Sequence, residues 1–483
     1  MCETKTIQQK INKKTKDLVA KKNVDDDDEN YITYKEWVVP IQAHFDYCLK
    51  KLKTKIYPDL IKGVRGNVGK ERTPEHPLKG ILRAKHGIYV NKDGTIRYDA
   101  SELAITHFTP QEVGASVKKL LELGYDEDIY GLPLTTPDQM LELRAQDVIL
   151  PDCPEALEEG SANVLLRTTQ FIDELLQVMY ELPPYYKVKS KDDLIGQLVI
   201  GLAPHTSAGT IGRIVGFSKT QGFFAHPLFH AAMRRDCDGD ESCFFLVLDA
   251  FLNFSQKFLA TSRGGTMDAP LVLTSLLNPA EVDDMAFNVD IVSEYPLEFY
   301  EACNEYKKPW EVKIKKINET LFTPAQFEGM MYTHKTTDIN NGVLCSSYKL
   351  LPSMGEKIDH QMNLAKKIRA VDESDVARLV IEKHFIRDTK GNLRKFSLQQ
   401  FRCVGCNEKF RRPPLSGKCT HCGGKIIFTI SEGSIMKYLE MSIKLAEDYN
   451  VSDYLKESLY LTKQTITDVF GVEKEKQTGL GDF

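Results

Sequence analysis

Apolar positions fall into two textures along the chain, long stretches at helical spacing and short runs broken by glycine, so the pattern predicts a mixed α and β protein. From Tyr34 to Lys53 apolar and aromatic residues recur at the helical period. Ile88–Val90 and Thr95–Tyr98 flank the turn Asn91–Gly94, the pattern of a hairpin. Thr109-Pro110-Gln111-Glu112 combines a capping box with proline at the first helical position and leads into an apolar face of Val113, Val117, Leu120 and Leu121. A second helix is predicted to start at Thr136-Pro137-Asp138, and a long periodic segment covers 154–182 before Pro183 and Pro184 end it. From Gly196 the runs shorten, with Gly201, Gly209, Gly212, Gly216 and Gly222 between strand-like pieces such as Ile211–Phe217. Cys243–Leu259 reads as a buried helix, Arg263–Pro270 as a loop, 310–400 as mixed α and β, and 432–470 as helices.

Composition bounds the picture. A chain of 483 residues is long enough for about three domains. With 42% apolar and 27% charged residues it is neither disordered nor fibrous. The net charge of -5 does not point to nucleic acid, so any such function must come from local clusters of basic residues. No run approaches the roughly 20 apolar residues that span a bilayer, and residues 1–35 read as a polar, flexible leader with the acidic run Asp25–Glu29. Membrane insertion and secretion are therefore not expected. Of 11 cysteines, seven are scattered and four form two CxxC pairs, which suits the reducing cytoplasm and a bound metal better than disulfides.

The most informative stretch is Asp236-Cys-Asp-Gly-Asp-Glu241. Carboxylates two apart around a glycine converge if the chain turns tightly, and converging carboxylates repel unless a hard cation such as Mg²⁺ or Ca²⁺ lies between them. An EF-hand is excluded, because counting from Asp236 its sixth and twelfth positions are Glu241 and Val247 rather than glycine and glutamate. An exposed acidic turn is the simpler alternative, but this stretch lies between two apolar segments. Arg234 and Arg235 precede it, with His226 and His230 upstream, as a phosphate-bearing substrate would require. The two histidines lack an HExxH glutamate, so packing or phosphate contact is expected of them rather than zinc.

At these residues the chain resembles the catalytic segment of the large subunit of archaeal family-D DNA polymerase. The resemblance is carried by His205–Gly209, Arg213–Phe217, Gln221–His230 and Arg234–Glu241, and extends to Lys79–His86, Lys92–Asp99 and Arg263–Pro270. It implies a double-psi β-barrel core and Mg²⁺-dependent DNA synthesis. Asp238 and Asp240 would hold two Mg²⁺ ions, with Asp236 beside them where the family usually has asparagine. Arg234, Arg235, His226, His230, Arg213, Lys79, Arg83 and Lys85 are the implied substrate- or DNA-binding residues. The family subunit is longer on its N-terminal side, where it carries a second barrel with paired lysines, so this chain resembles its C-terminal part.

Cys403-Val-Gly-Cys406 and Cys419-Thr-His-Cys422 have the spacing of two knuckles closing one tetrahedral Zn²⁺ site, structural because no coordination position stays open. Lys409, Arg411 and Arg412 lie between them and suit either partner contact or solubility. In the family this region docks the small exonuclease subunit. The terminal Gln477, Leu480 and Phe483 are spaced like a sliding-clamp-binding peptide. The basic, glycine-rich segment around Lys62–Lys85 reads equally as a DNA-backbone groove or a mobile loop. The expected architecture is an α+β multi-domain chain. It comprises a leader at 1–35, a double-psi catalytic core with helical insertions at 36–400 (breaks near 105, 190 and 310), a zinc ribbon at 401–430, helices at 431–470 and a clamp-binding tail at 471–483. Expected partners are primer–template DNA, the small exonuclease subunit, a polypeptide carrying the N-terminal part of the large subunit, and the sliding clamp.

Overall fold

The structure, a computed structural model, describes residues 40–470 apart from 55–57, 59, 64–74, 205, 256–270, 331–337, 348–349, 369–370, 428–429 and 431. The predicted leader, the tail with Gln477, Leu480 and Phe483, the loop Arg263–Pro270 and His205 lie outside the described residues. The chain forms two compact units, the first ending at 341 and the second taking 342 onward together with 155–158.

Among the described residues the first unit has nine strands: β1 (Tyr98–Ala104), β2 (His107–Phe108), β3 (Leu141–Glu142), β4 (Asp147–Pro151), β5 (Leu198–Leu202), β6 (Ala208–Ser218), β7 (Gly222–Ala225), β8 (Glu241–Leu246) and β9 (Val272–Thr274). Six of them run in the order β4-β7-β1-β8-β5-β6, and β4 also pairs with β6, so the sheet closes into a barrel. Closure leaves no barrel strand with an open edge. The pairs β1/β7 and β4/β6 are parallel and the other four antiparallel. Exchanging β1 with β6, β4 with β7 and β5 with β8 maps each pairing onto one of the same sense, a pseudo-twofold relation between the two halves of the ring.

Val148, Val199, Ile214, Phe223 and Phe244 are fully buried in the core of this unit. The helix expected over 154–182 starts only at Ser161, 154–160 being turns and coil; it covers the core with Phe171, Ile172 and Leu175, and the chain leaves it at Glu181, in the left-handed region, just before Pro183. The short helix Pro227–Ala232 lays Phe229 against β5, where a Cβ on Gly201 would come within 2.8 Å of the ring. That glycine lets the helix lie close and fixes where the following acidic loop begins.

Five local expectations are corrected. The Asn91–Gly94 turn forms, but its flanks do not pair as strands, because the Ile96 N–H is taken by the Asp249 carboxylate at 2.7 Å and the strand starts only at Tyr98. The capping box at Thr109–Glu112 forms in both directions yet closes a turn. The Val113 carbonyl accepts the Phe217 N–H at 2.8 Å, and the helix waits until Val117, capped by Ser116. No helix starts at Thr136, because the Gln139 side chain accepts the Thr135 and Thr136 N–H groups instead. Cys243–Leu259 is not a helix throughout: Cys243–Leu246 belongs to β8, paired on both sides, and the helix covers Val247–Asn253. A continuous apolar run does not by itself distinguish a buried strand from a helix. Residues 310–400, expected to be mixed, carry helices and short 3₁₀ turns but no strand among the described residues.

The second unit is mainly helical and also carries a small sheet. Helices Met354–Lys367, Glu373–Leu379, Ile386–Leu398, Leu439–Asp448 and Asp453–Phe470 surround a core that includes Ile381, Leu439, Leu459 and Ile466. Strands β10 (Phe401–Cys403), β11 (Lys409–Phe410) and β12 (Ile426–Ile427) form a separate three-stranded sheet. Among the described residues no helix is long and apolar enough to cross a membrane.

Candidate active site

The acidic loop connects helix Pro227–Ala232 to β8 and turns sharply. Arg234, Cys237 and Gly239 all have positive φ, of 60°, 61° and 116°. Glycine takes such a conformation without strain, whereas at Arg234 and Cys237 it costs of order 1–2 kcal/mol each. The turn brings carboxylate oxygens of Asp236, Asp238 and Asp240 within 4.8 Å of one another at the surface. The Asp236 charge, then desolvation and Asp240, hold the Asp238 carboxyl above its ordinary range. Clustered like charges of this kind are relieved by a cation, and an all-oxygen set suits a hard ion such as Mg²⁺. Arg235 braces the loop from one side, donating to Asp240 Oδ2 at 2.6 Å and to the Glu241 carbonyl at 2.9 Å. The Glu102 N–H of β1 donates to the Asp240 carbonyl at 3.1 Å, tying the loop to the barrel. Arg234 is exposed beside the carboxylates.

The other sequence-predicted residues are placed differently. His226 caps its helix through Nδ1 and is buried, and desolvation, then His230 and His107, lower its pKa to about 3. It is therefore a neutral packing group. His230 is also buried, beneath the loop, with Nε2 donating to the Leu103 carbonyl. Arg213 forms a bidentate pair with the buried Asp147 at 2.7 and 2.8 Å and also donates to the Leu123 carbonyl. Arg83 is buried against Glu75, and Lys79 donates to the Leu252 carbonyl at 2.6 Å. Lys85 is exposed but held by Glu174 at 2.6 Å. The loop thus gathers Arg234, Arg235, the three aspartates and His230, whereas Arg213, Lys79, Arg83 and Lys85 have internal partners. Glu102 was missed by sequence reasoning. The available signal was an acid at an inward position of a strand that alternates buried and exposed residues from Tyr98.

In the second unit the sulfurs of Cys403, Cys406, Cys419 and Cys422 all lie within 4.8 Å of one another, with Cys403 and Cys422 3.4 Å apart and Cys406 and Cys419 3.5 Å apart. The Cys406 backbone N–H, helped by Cys422, lowers the Cys403 thiol while the neighbouring sulfurs raise that of Cys406, so the tetrad shares its protons and readily carries a first thiolate. These spacings fit four ligands around one zinc ion.

Fold and site together define the class: an α+β chain whose closed barrel carries a loop of three converging carboxylates, with a four-cysteine cluster that could hold a metal in a second unit. Within it, the chain belongs to the family of the DNA polymerase II large subunit DP2, catalytic domain, whose profile matches residues 54–357. It is 53% identical to the DNA polymerase II large subunit of Archaeoglobus fulgidus over 427 residues, covering 88% of this chain and 37% of that protein. The large subunit of Methanocella arvoryzae is 48% identical over 92% of this chain and 39% of its own length, and that of Pyrococcus furiosus 50% identical over 86% and 33%. The chain therefore spans well under half the length of these relatives.

Proposed function

We propose that this chain is the carboxylate-bearing core of a DNA-directed DNA polymerase, transferring nucleotidyl groups from dNTPs to a primer 3′ end. The observation that carries the reading is the convergence of Asp236, Asp238 and Asp240 on a barrel loop in a chain of this family. Asp238 and Asp240 would hold two Mg²⁺ ions with Asp236 beside them, and bound there the ions would acidify the primer hydroxyl and neutralise the leaving pyrophosphate. Arg235 keeps Asp240 and the start of β8 in register, and exposed Arg234 is free to meet a phosphate. The pseudo-twofold pairing of the barrel supports a double-psi topology, and the cysteine tetrad supports a structural zinc ribbon. Partners would be primer–template DNA, the small exonuclease subunit, the polypeptide supplying the remainder of the large subunit, and a sliding clamp engaged by the tail.

A second reading follows from the partial coverage of the relatives: the chain is a scaffold that joins small subunit, clamp and DNA without catalysing synthesis. Primer extension with dNTPs or NTPs, by the chain with and without the other polypeptides, separates the readings. Asp238→Asn is expected to reduce extension about a thousandfold or more while primer–template binding changes less than about twofold. Normal extension by that variant would end the catalytic assignment, and incorporation of NTPs in preference to dNTPs would point to an RNA-polymerase-like enzyme.

A further inference from the structure

Directly under the acidic loop lies a second group of ligating side chains that the proposed reaction does not use. Ligand atoms of Glu102, His230 and Cys237 lie within 4.8 Å of one another, and both Glu102 and His230 are only 1% exposed. Three observations point to a cation rather than to packing. His230 Nε2 donates to the Leu103 carbonyl at 3.1 Å, so that nitrogen carries a proton, and in the neutral imidazole Nδ1 then presents a lone pair. A metal-binding histidine is held in this way, its other ring nitrogen fixed by a backbone carbonyl. His230 Nδ1 then lies 3.3 Å from Glu102 Oε1 and, among the described residues, neither it nor Glu102 Oε2 has a hydrogen bond. Two buried acceptors facing each other without a proton repel, and a cation held by both relieves that repulsion. Finally, Glu102 is itself oriented by the Ser242 hydroxyl, and the left-handed backbone at Cys237 places its sulfur in the same cluster.

We infer that Glu102, His230 and Cys237 form a binding site for a soft or borderline divalent cation, Zn²⁺ being the best fit, that clips the acidic loop to β1 and to helix Pro227–Ala232. One carboxylate, one imidazole and one thiolate form a three-ligand zinc set, with nitrogen and oxygen bonds of about 2.0–2.1 Å and a sulfur bond of about 2.3 Å. The carboxylate and thiolate charges balance the ion, and the thiol proton leaves to solvent as the metal enters. The donor set discriminates against Mg²⁺, which prefers the all-oxygen cluster above it. The inference needs no assumption about the reaction catalysed.

The test is metal counting on the full chain, stripped of metal and then titrated with Zn²⁺ alone or Co²⁺ alone in excess Mg²⁺, which fills the aspartate loop. Wild type is expected to bind about two zinc ions per chain, one in the ribbon and one here, and Cys237→Ser and Glu102→Gln about one each. Should those variants misfold, the double variant Cys406→Ser/Cys419→Ser disables the ribbon and leaves the barrel untouched. It is expected to bind about one Co²⁺ with a thiolate-to-cobalt charge-transfer band. About one zinc in wild type, with no tight Co²⁺ binding in the ribbon double variant, would overturn the site. It would leave His230 and Glu102 as a packed pair without a metal.

Discussion

Asp249 offers a sharp test of how the helix following β8 is anchored. Its carboxylate is fully buried, accepting from the Ile96 N–H and the Asn253 side-chain amide, each at 2.7 Å. Desolvation raises its pKa from 3.8 to about 6 against the lowering effect of those two donors. The charged groups that act on it are Arg83, which favours the ionised form, and Asp93, which opposes it, while Lys79 and Tyr186 feel its charge in turn. Because the folded pKa lies above the unfolded one, the folded state holds the proton more tightly. The contribution to stability is complete below pH 4 and is lost as pH rises through about 6. A difference of about two pKa units corresponds to roughly 3 kcal/mol. Asp249→Asn stays neutral throughout, and Asn253 Oδ1, which has no partner among the described residues, can turn to accept from the new amide. Urea denaturation from pH 4 to 7, with amide exchange in β5 and β8 reporting on the barrel unit, gives the difference between variant and wild type and cancels all other titrations. The variant should gain on wild type by about 2–3 kcal/mol between pH 4 and 6.5 and no further above that. A difference that is flat with pH within about 0.5 kcal/mol, or that grows as pH falls, would refute the reasoning.

Other consequences are as direct. Removing Arg213 leaves the buried Asp147 without its counter-charge and with only the Tyr125 hydroxyl as side-chain donor, so Arg213→Ala should cost about 3 kcal/mol in denaturant unfolding, and Arg213→Met with Asp147→Leu should recover part of it. If instead Arg213→Ala weakens DNA binding at unchanged stability, the internal pair is not its main role. At the cysteine knuckle a Cβ on Gly424 would lie 3.0 Å from Cys403 Sγ and 3.2 Å from Cys422 Sγ. Gly424→Ala should therefore accelerate zinc release to a chromophoric chelator several-fold. An unchanged rate would mean that the knuckle yields without strain.

The sequence alone carried the features that depend on neighbours along the chain. Two CxxC pairs and three alternating aspartates around a glycine are local spacings, and a tight turn suffices to bring their side chains together. The long helix ending before Pro183 and the strand through Ile211–Phe217 were legible for the same reason, since each follows from its own period. What the sequence left open depends on partners distant along the chain. The capping box at Thr109 satisfied its local hydrogen bonds and still gave no helix, because the Val113 carbonyl was claimed by Phe217. Basic residues that the resemblance assigned to DNA have internal partners that no local pattern announces: Asp147, Glu75 and the Leu252 carbonyl. Only closure of the barrel sets Glu102 and His230 beneath Cys237, because burial obliges charged and polar groups to find partners wherever the fold brings them.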